Sequence, residues 1–592
     1  MIKYSSPGIY IESSPKSIES IKLVVSGLTG FIGITEKGPL HKGIKVKNFK
    51  EFKNIFGGFV SYGYLAYAVF GFFSAGGKEC IVVRTAHINK NSDSDESNAV
   101  NKAFLSLRST DDEENCLTIR ANSEGTWGNL IKVKLWYNLL KSTVLVADAK
   151  EGQDWIEIQS TDDFKSNDYI CLRTNGFYEY NKIRSITGNR ILLHSKLKHS
   201  YQESAGKNFC EKLMISFTVI YGEVVEEYLY LSLNNTDADY YLDHINKSSQ
   251  LITLEKHGEA VPVEFFYENL QHGRNGILGL TPGDFIGQYR GFDNNTGIGI
   301  FEGYDEVSLL AAPDLCLFQE VIYNTAEEDT TAKDCIYAVQ KTMVDQCERL
   351  GNRFAILDAP EVKDSLELLK YCGKFDTASA AVYYPKVEIL NPEDITGLSA
   401  VSVPASGHIA GEYIKCDLTE GLYRAPANKL LKGAVGLKRI VENDEYDILY
   451  RKGINCLKYI PGRGVKIWGA RTLSSEPEWR YINVRRTFCS VRNALQKGVG
   501  WAVFEPNDRN LRKRLVRHVS AFLLDLWRLG YMKGTVPEEG FYIRCDDEIN
   551  PPENIEAGIV TIEAGISIAR PAEYLVIKIT ANTEDSVIAF EE

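Results

Sequence analysis

Gly453-Ile-Asn-Cys456, Pro461-Gly-Arg-Gly464 and Val465-Lys-Ile-Trp-Gly-Ala-Arg-Thr472 open a stretch that continues through Arg480-Tyr-Ile-Asn-Val-Arg-Arg486 and a long helix to two β-patterned runs ending at Ile579. Strand-like and helix-like periodicities succeed one another along it, as in a packed α/β body. No step in it has the residue types of a reaction centre. Pro461-Gly-Arg-Gly464 reads as a turn, because the third glycine of a dinucleotide fingerprint would fall on Ile467. The stretch ends in alternating strands that look suited to a role outside their own subunit.

The surrounding chain bounds what that role can be. At 592 residues it is too long for one core, so several domains are expected. Hydrophobic residues at 44% and charged residues at 25% are ordinary globular values. A net charge of -12 argues against a dedicated nucleic-acid binder. Twelve cysteines are scattered without a Cys-x-x-Cys pair, so neither a zinc cage nor a redox motif is indicated, and buried thiols in a reducing cytoplasm are expected. Met1-Ile-Lys-Tyr-Ser-Ser-Pro7 has no apolar signal region, and Tyr62 to Phe73 is too short for a membrane span. Synthesis in the cytoplasm without a signal peptide, and no direct membrane insertion, are the expectations.

Sites of catalysis are looked for and set aside. Phe354-Ala-Ile-Leu-Asp358 resembles the metal-holding strand of a nucleotide hydrolase, but no Gly-x-x-x-x-Gly-Lys-Ser/Thr loop accompanies it. Val403-Pro-Ala-Ser-Gly-His-Ile-Ala-Gly411 is read as a loop. Ser406 and His408 would point apart on an extended chain there, and Pro404 occupies the first glycine of a nucleophile elbow. The histidines are isolated, and the acidic run Asp111-Asp-Glu-Glu114 has no metal-ligand spacing. No catalytic residue, metal site or cofactor is expected.

Taken in order, residues 1–25 form an arm in which Pro7-Gly8 turns into a short strand containing Ile9, Tyr10 and Ile11. A frayed terminus is the competing reading. Val24 to Ile34 is a glycine-punctuated strand, and Asn48 to Gly58 is a helix with Phe49, Phe52 and Phe56 on one face. Leu65 to Phe73 is a second helix, and Cys80-Ile-Val-Val-Arg84 a strand. Val146 to Tyr201 has short β runs between polar turns and reads as an inserted module joining two strands that would otherwise be neighbours. Asp334 to Leu350 is an amphipathic helix. A further helix begins near Asp508, with Leu511, Leu515, Val519, Phe522, Leu523 and Leu526 as its buried stripe. Gly558 to Ala569 alternates at period two, and Glu573 to Ile579 resumes after Arg570-Pro571.

An ordered set of motifs resembles contractile tail sheath proteins of phages and phage-tail-like injection systems. It comprises Pro7-Gly-Ile-Tyr10, Gly30-Phe-Ile-Gly33, Gly38-Pro39, Trp127-Gly-Asn129, Val403-Pro-Ala-Ser-Gly-His-Ile-Ala-Gly411 and Asp417. It continues with Gly421-Leu-Tyr-Arg-Ala-Pro-Ala-Asn428, Trp468-Gly-Ala-Arg-Thr472, Tyr481-Ile-Asn-Val-Arg-Arg486 and Phe504-Glu-Pro-Asn507. The resemblance departs mainly at the inserted β block. It implies a mixed α/β, multidomain chain: an N-terminal linker arm (1–25), a sheath α/β domain in two parts (26–140 and 202–430), an outward β-rich insert (146–201), a C-terminal inner domain (431–557) and a C-terminal strand arm (558–592).

The same resemblance implies a structural subunit and not an enzyme. Copies would stack as hexameric rings in a helical sheath around an inner tube, with baseplate and terminal cap proteins at the ends. Contraction would drive the tube through a target envelope. Strands containing Ile9, Tyr10, Ile11, Ile559, Val560, Ile562, Ile566, Ile568, Tyr574, Val576, Ile577 and Ile579 would pair between subunits. Arg509, Lys513, Arg514, Arg517 and Arg528 are the tube-facing candidates, against the plainer reading of a solvated basic face. A static tube or shell, and less so an α/β hydrolase, are the alternatives.

Overall fold

The apolar run around Gly30 forms β1 (Leu28–Gly33), every residue of which is buried. It lies at the middle of the topology because both of its edges are used. In the computed structural model, which describes residues 20–23, 27–88, 99–108, 115–174, 176–202, 208–258, 265–288, 295–325, 327–573, 578–580 and 589–591, β1 belongs to a nine-stranded sheet. The other strands are β2 (Gly43–Val46), β3 (Glu79–Arg84), β4 (Val307–Ala311), β5 (Phe354–Asp358), β6 (Ala380–Tyr384), β7 (Lys429–Leu430), β8 (Ile454–Ile460) and β9 (Gly464–Ile467). The order is β2-β3-β1-β4-β5-β6-β8-β9-β7. The six central strands from β3 to β8 are parallel, and the pairs at both edges are antiparallel.

A parallel sheet needs cover on both faces, so its strands read as continuous apolar runs. Alternate residues of β3 illustrate this: Cys80 and Val82 enter one core, Ile81 and Val83 the other. The first core is closed by α1 (Phe49–Phe56) and α2 (Leu65–Ala75). The second is closed by α3 (Asp329–Leu350), through Ile336, Val339, Met343, Val344 and Cys347. The helix α4 (Ser406–Thr419) returns to the first face through Ile409, Ala410, Tyr413 and Ile414. Asn48 caps α1 by accepting from the Glu51 amide, and Gly57 (φ 88°) ends it. Just after β4, the fully buried Asp314 accepts hydrogen bonds from the backbone N–H groups of Ile34 and Tyr64, tying the end of β1 to the start of α2.

Between β3 and β4, which flank β1, the chain makes a long excursion. Residues from Ala103 to Leu270 build a separate β-rich core around Trp127, Leu135, Phe217 and Tyr241. The sequence reading gave residues 104–140 and 209–270 to the α/β domain. The strands Lys132–Val144 and Phe209–Tyr221, which flank the insert and are expected to be neighbours, do pair antiparallel with each other, but in a sheet separate from the nine-stranded one. Inside this excursion lies the shorter one expected from the polar turns. Its core runs from Leu145 to Cys210 and includes Ile156, Ile170, Ile183, Ile191 and Tyr201. Val144 and Phe209, at its two ends, sit in register opposite one another.

After β9 the chain forms α5 (Ile482–Gly498) and α6 (Arg509–Arg528). Their core contains Leu422, Val491, Val519, Phe522, Leu523, Leu526 and Met532. The sheet therefore extends across residue 430, where the sequence reading placed a boundary, because β8 and β9 complete it. The cysteines are free thiols, buried except at Cys335 and Cys545. Among the described residues no helix is long and apolar enough to cross a membrane.

Candidate assembly site

The polar residues of the opening stretch form one joint. Asn455, on β8, is fully buried. Its side-chain amide donates to the carbonyls of Arg471 (2.7 Å) and Val382 (3.3 Å), while its Oδ1 accepts from the Arg471 N–H at 2.8 Å. A Cβ on Gly469 would lie 2.6 Å from Asn455 Oδ1, so the spacing from Gly469 to Arg471 follows from how closely the chain passes over β8.

Asn455 thereby fixes the Arg471 backbone, and the Arg471 guanidinium reaches Glu573. Nε donates to Oε1 at 2.8 Å, and Nη2 makes the second arm of a bidentate pair. The guanidinium also lies over the Tyr450 ring at 4.2 Å, and the Tyr450 hydroxyl donates to Glu573 at 2.6 Å. Burial alone would raise the Glu573 pKa. The hydrogen bonds from Arg471 and Tyr450 outweigh it and hold the carboxyl below its ordinary range.

A second pair joins α4 to α5. Arg486 Nη1 donates to Asp417 Oδ1 at 2.9 Å, both side chains being almost wholly buried, and the guanidinium stacks over Tyr413. Asn483, one turn earlier on α5, donates to the carbonyls of Tyr423 (2.7 Å) and Ala569 (3.0 Å). The side chains of Asn455, Arg471, Asn483 and Arg486 thus bind the sheet, α4, α5 and the start of the C-terminal extension into one unit.

Residues 406–411 are not the loop expected from their glycines; they are the first turns of α4. The helix forms because Gly407 and Gly411, four residues apart on one face, let it lie against the backbone of α2. Cβ atoms there would stand 2.4 Å from Ala68 Cα and 2.3 Å from the Phe72 carbonyl oxygen. Tertiary contact overrides poor helix propensity here. Ser406 and His408 are sealed in this contact. The Ser406 N–H donates to Asp358 at 2.9 Å, and burial lowers the His408 pKa to about 4, keeping the imidazole neutral. No group of three or more metal-ligating side chains occurs among the described residues.

Asp508 caps α6 by accepting from the Leu511 N–H at 2.7 Å, and the six apolar positions expected to form its buried stripe are all buried. Each such burial contributes about 1.5–3 kcal/mol, enough to fix which face is outward. The five basic candidates separate on that outer face. Arg514 pairs with Glu505 (2.6 Å) and Arg528 with Asp525 (3.6 Å). Arg509, Lys513 and Arg517, each four residues from the next, are exposed and form no ion pair among the described residues. Their apolar neighbours Val503 and Phe504, the latter opening the Phe504-Glu-Pro-Asn507 motif but not among the tube-facing candidates, are 64% and 102% exposed.

The terminal strands are only partly available. The period-two run from Gly558 becomes a strand only at β11 (Glu563–Ile566), which pairs antiparallel with β10 (Phe541–Arg544) of the same chain. Ile562 and Ile566 pack on the α5–α6 core, and the buried Ile568 bridges to Met532. Ile562, Ile566 and Ile568 therefore make packing contacts within their own chain. Before β11 the backbone joins no ladder: the Asn550 side chain takes the Thr561 N–H at 2.7 Å, and Ile559 is exposed and Val560 half-buried outside any strand. Ile579 lies in β12 (Lys578–Thr580), opposite Phe590 of β13 (Ala589–Glu591). Ile9, Tyr10, Ile11, Tyr574, Val576 and Ile577 lie outside the described residues.

Residues 329–473 match the family model of the phage tail sheath protein central domain, and residues 474–582 that of the phage tail sheath C-terminal domain. The chain is 30% identical over 244 residues to a prophage major tail sheath protein of Pseudomonas aeruginosa, covering 40% of this chain and 59% of that one. It is 25% identical over 240 residues to the tail sheath protein of Escherichia phage P2, covering 39% and 57%. The chain thus spans less than two thirds of the curated relatives it matches. Over 98% of its length it superposes on the contracted helical sheath of the anti-feeding prophage (100% of that chain, 18% identity, TM-score 0.51). Over 99% it superposes on the contracted sheath of an extracellular contractile injection system (99% of that chain, 17% identity, TM-score 0.51). The fold is the tail sheath fold, and the matched relatives are structural proteins.

Proposed function

Because residues 329–582 carry the central and C-terminal domains of the phage tail sheath family, we propose that this chain is the repeating subunit of a contractile sheath. Copies stack as hexameric rings around an inner tube and contract as a helical lattice to drive that tube through an envelope. Baseplate and cap proteins close the two ends. The observation that carries this reading is the match of the whole chain, excursion included, to contracted sheaths.

The geometry supports the division of labour that such a machine needs. The doubly covered sheet and the Arg486–Asp417 joint make a body that moves as one piece. The chain leaves that body at Glu573, clamped by Arg471, and continues into β12 and β13. Segments beyond the clamp, with the arm around Ile9–Ile11, link neighbouring bodies by strand addition while the bodies rotate. The exposed row of Arg509, Lys513 and Arg517 faces the tube. Because the lattice stores the work as conformational strain, no reaction centre is required.

Electron microscopy of the purified full-length chain tests this. Ridged hollow cylinders, in longer and shorter forms of different diameter, are expected. Monodisperse small particles at high concentration overturn the reading, and cylinders of one invariant geometry indicate a static tube.

A further inference from the structure

Phe504 combines two costly properties. Its side chain is fully exposed, at 102%, beside a Val503 that is 64% exposed. Its backbone sits at φ +67°, in the left-handed region, where a residue with a Cβ is strained by roughly 1–2 kcal/mol. Neither property helps the isolated chain, since the ring touches nothing among the described residues and a glycine would relieve the strain.

The surrounding loop nevertheless holds this conformation. Ahead of it, the Trp501 indole N–H donates to His518 Nδ1 at 3.0 Å and the Arg514 guanidinium lies 5.2 Å from the indole ring. Behind it, Glu505 accepts from the same Arg514 at 2.6 Å, and the Asn507 amide donates to the carbonyls of Ile555 and Ile559. Asp508 then caps α6. With both flanks fixed, the Val503–Phe504 tip projects outward at the N-terminal end of α6, where the row Arg509, Lys513, Arg517 begins.

We propose that Phe504, supported by Val503, is an apolar anchor that seats in a pocket on the inner tube, with Arg509, Lys513 and Arg517 meeting carboxylates on the pocket's rim. This rests on the reading that α6 faces the tube. The proposed function supplies the tube as the occupant, and charge complementarity gives the chemistry of its surface. Three unpaired cations beside an apolar tip call for an acidic surface with an apolar centre, the arrangement of a binding hot spot with a polar rim. Contacts between copies have a different chemistry available to them, through the backbone edges beyond Glu573.

The test is co-sedimentation of full-length chain with inner tubes isolated from the particles that contain it, using wild type, Phe504→Gly, Phe504→Ala and Lys513→Glu. Glycine adopts φ +67° freely, so Phe504→Gly removes the ring without harming the fold, and an unchanged or raised melting temperature confirms that. Both Phe504 variants are expected to bind tubes at least tenfold more weakly while still forming cylinders in the absence of tubes. At about 1 M salt, where ion pairs are screened within about 3 Å, wild type is expected to retain residual binding that Phe504→Gly lacks. Lys513→Glu is expected to lose mainly the salt-sensitive part. If Phe504→Gly binds as wild type does, the anchor is refuted and the tube-facing reading of α6 stands. If wild type itself fails to bind tubes at low salt, both fall. If Phe504→Gly stops cylinder formation without tubes, the ring seats on a neighbouring copy and the proposal is overturned.

Discussion

Arg471 holds Glu573 with two charge-assisted hydrogen bonds across 102 residues of sequence, and both side chains are about nine-tenths buried. This pair fastens the segment after β11 to the β8–β9 hairpin of the sheet. The β8–β9 hairpin delivers Arg471, Asn455 fixes its backbone, and Glu573 precedes the segment that leads to β12.

Breaking this clamp should free the extension without unfolding the body. Glu573→Gln keeps the shape but removes the charge opposite a buried guanidinium, a change that costs about 3 kcal/mol in comparable pairs. The expected outcome is faster proteolytic cleavage beyond residue 570, with the main melting transition largely retained. The pH dependence has a definite sign. The native carboxyl is held below its unfolded value of roughly 4.3, so its stabilisation is full above that value and is lost as pH falls through the native one. Wild type should therefore become sensitive to cleavage near this segment as pH falls through that lowered native value, and Glu573→Gln should be sensitive at neutral pH. Equal resistance of the two proteins at pH 7 contradicts the clamp.

Asp314 should act in the opposite direction. Burial raises its pKa to about 7, despite hydrogen bonds from the backbone N–H groups of Ile34, Tyr64 and Leu65 that favour the charged form. A carboxyl that holds its proton more tightly when folded contributes stability that is full below an unfolded value of about 3.9 and is lost as pH rises through the native value. Melting temperatures should accordingly fall between pH 5 and pH 8 through this group, and Asp314→Asn, which cannot titrate, should fall less over the same range. Parallel wild-type and variant profiles would sink this assignment.

The contact between α2 and α4 predicts a severe effect from a small change. Gly411→Ala adds one methyl group, 2.3 Å from the Phe72 carbonyl oxygen and 2.8 Å from Ala75 Cβ. Backbone cannot swing aside as a flexible side chain can, so the helices must separate, at a cost of about 1–3 kcal/mol or more. Ordinarily Gly→Ala within a helix stabilises by up to about 1 kcal/mol. A fall in melting temperature for Gly411→Ala therefore supports the close contact, and a rise contradicts it.

These residues also show where the sequence could be read and where it could not. The strands around Gly30 and Phe354, the capped helix at Asn48 and the apolar stripe of α6 were legible because each carries its own periodicity or cap. Ser406–Gly411 was not, since its helicity comes from α2, which is more than three hundred residues away in sequence. The excursion from Ala103 to Leu270 is legible only in part: the strands flanking the insert read as neighbours and do pair, but period-two alternation does not tell which sheet the pair joins. The three cations of α6 were visible as a cluster, whereas the anchor beside them depends on the φ of Phe504, for which a phenylalanine gives no sequence signal.

The internal pairing of β10 with β11 decides how the C-terminal extension should be tested. Removing residues 558–592 would also remove β11, Ile562, Ile566 and Ile568, which cover the α5–α6 core, together with Glu573. Lost cylinders would then report a damaged body as readily as a missing link. Truncation after Glu573 keeps the β10–β11 pair and the Arg471 clamp and deletes only the chain beyond them. This shorter truncation should melt within a few degrees of full-length protein and yet form no cylinders, because strand addition between copies has lost its strand. The longer truncation should melt distinctly lower. Cylinders assembled from the Glu573-terminated chain would show that the lattice is held by body surfaces alone, and the linking role would pass from the extension to the faces of the sheet domain.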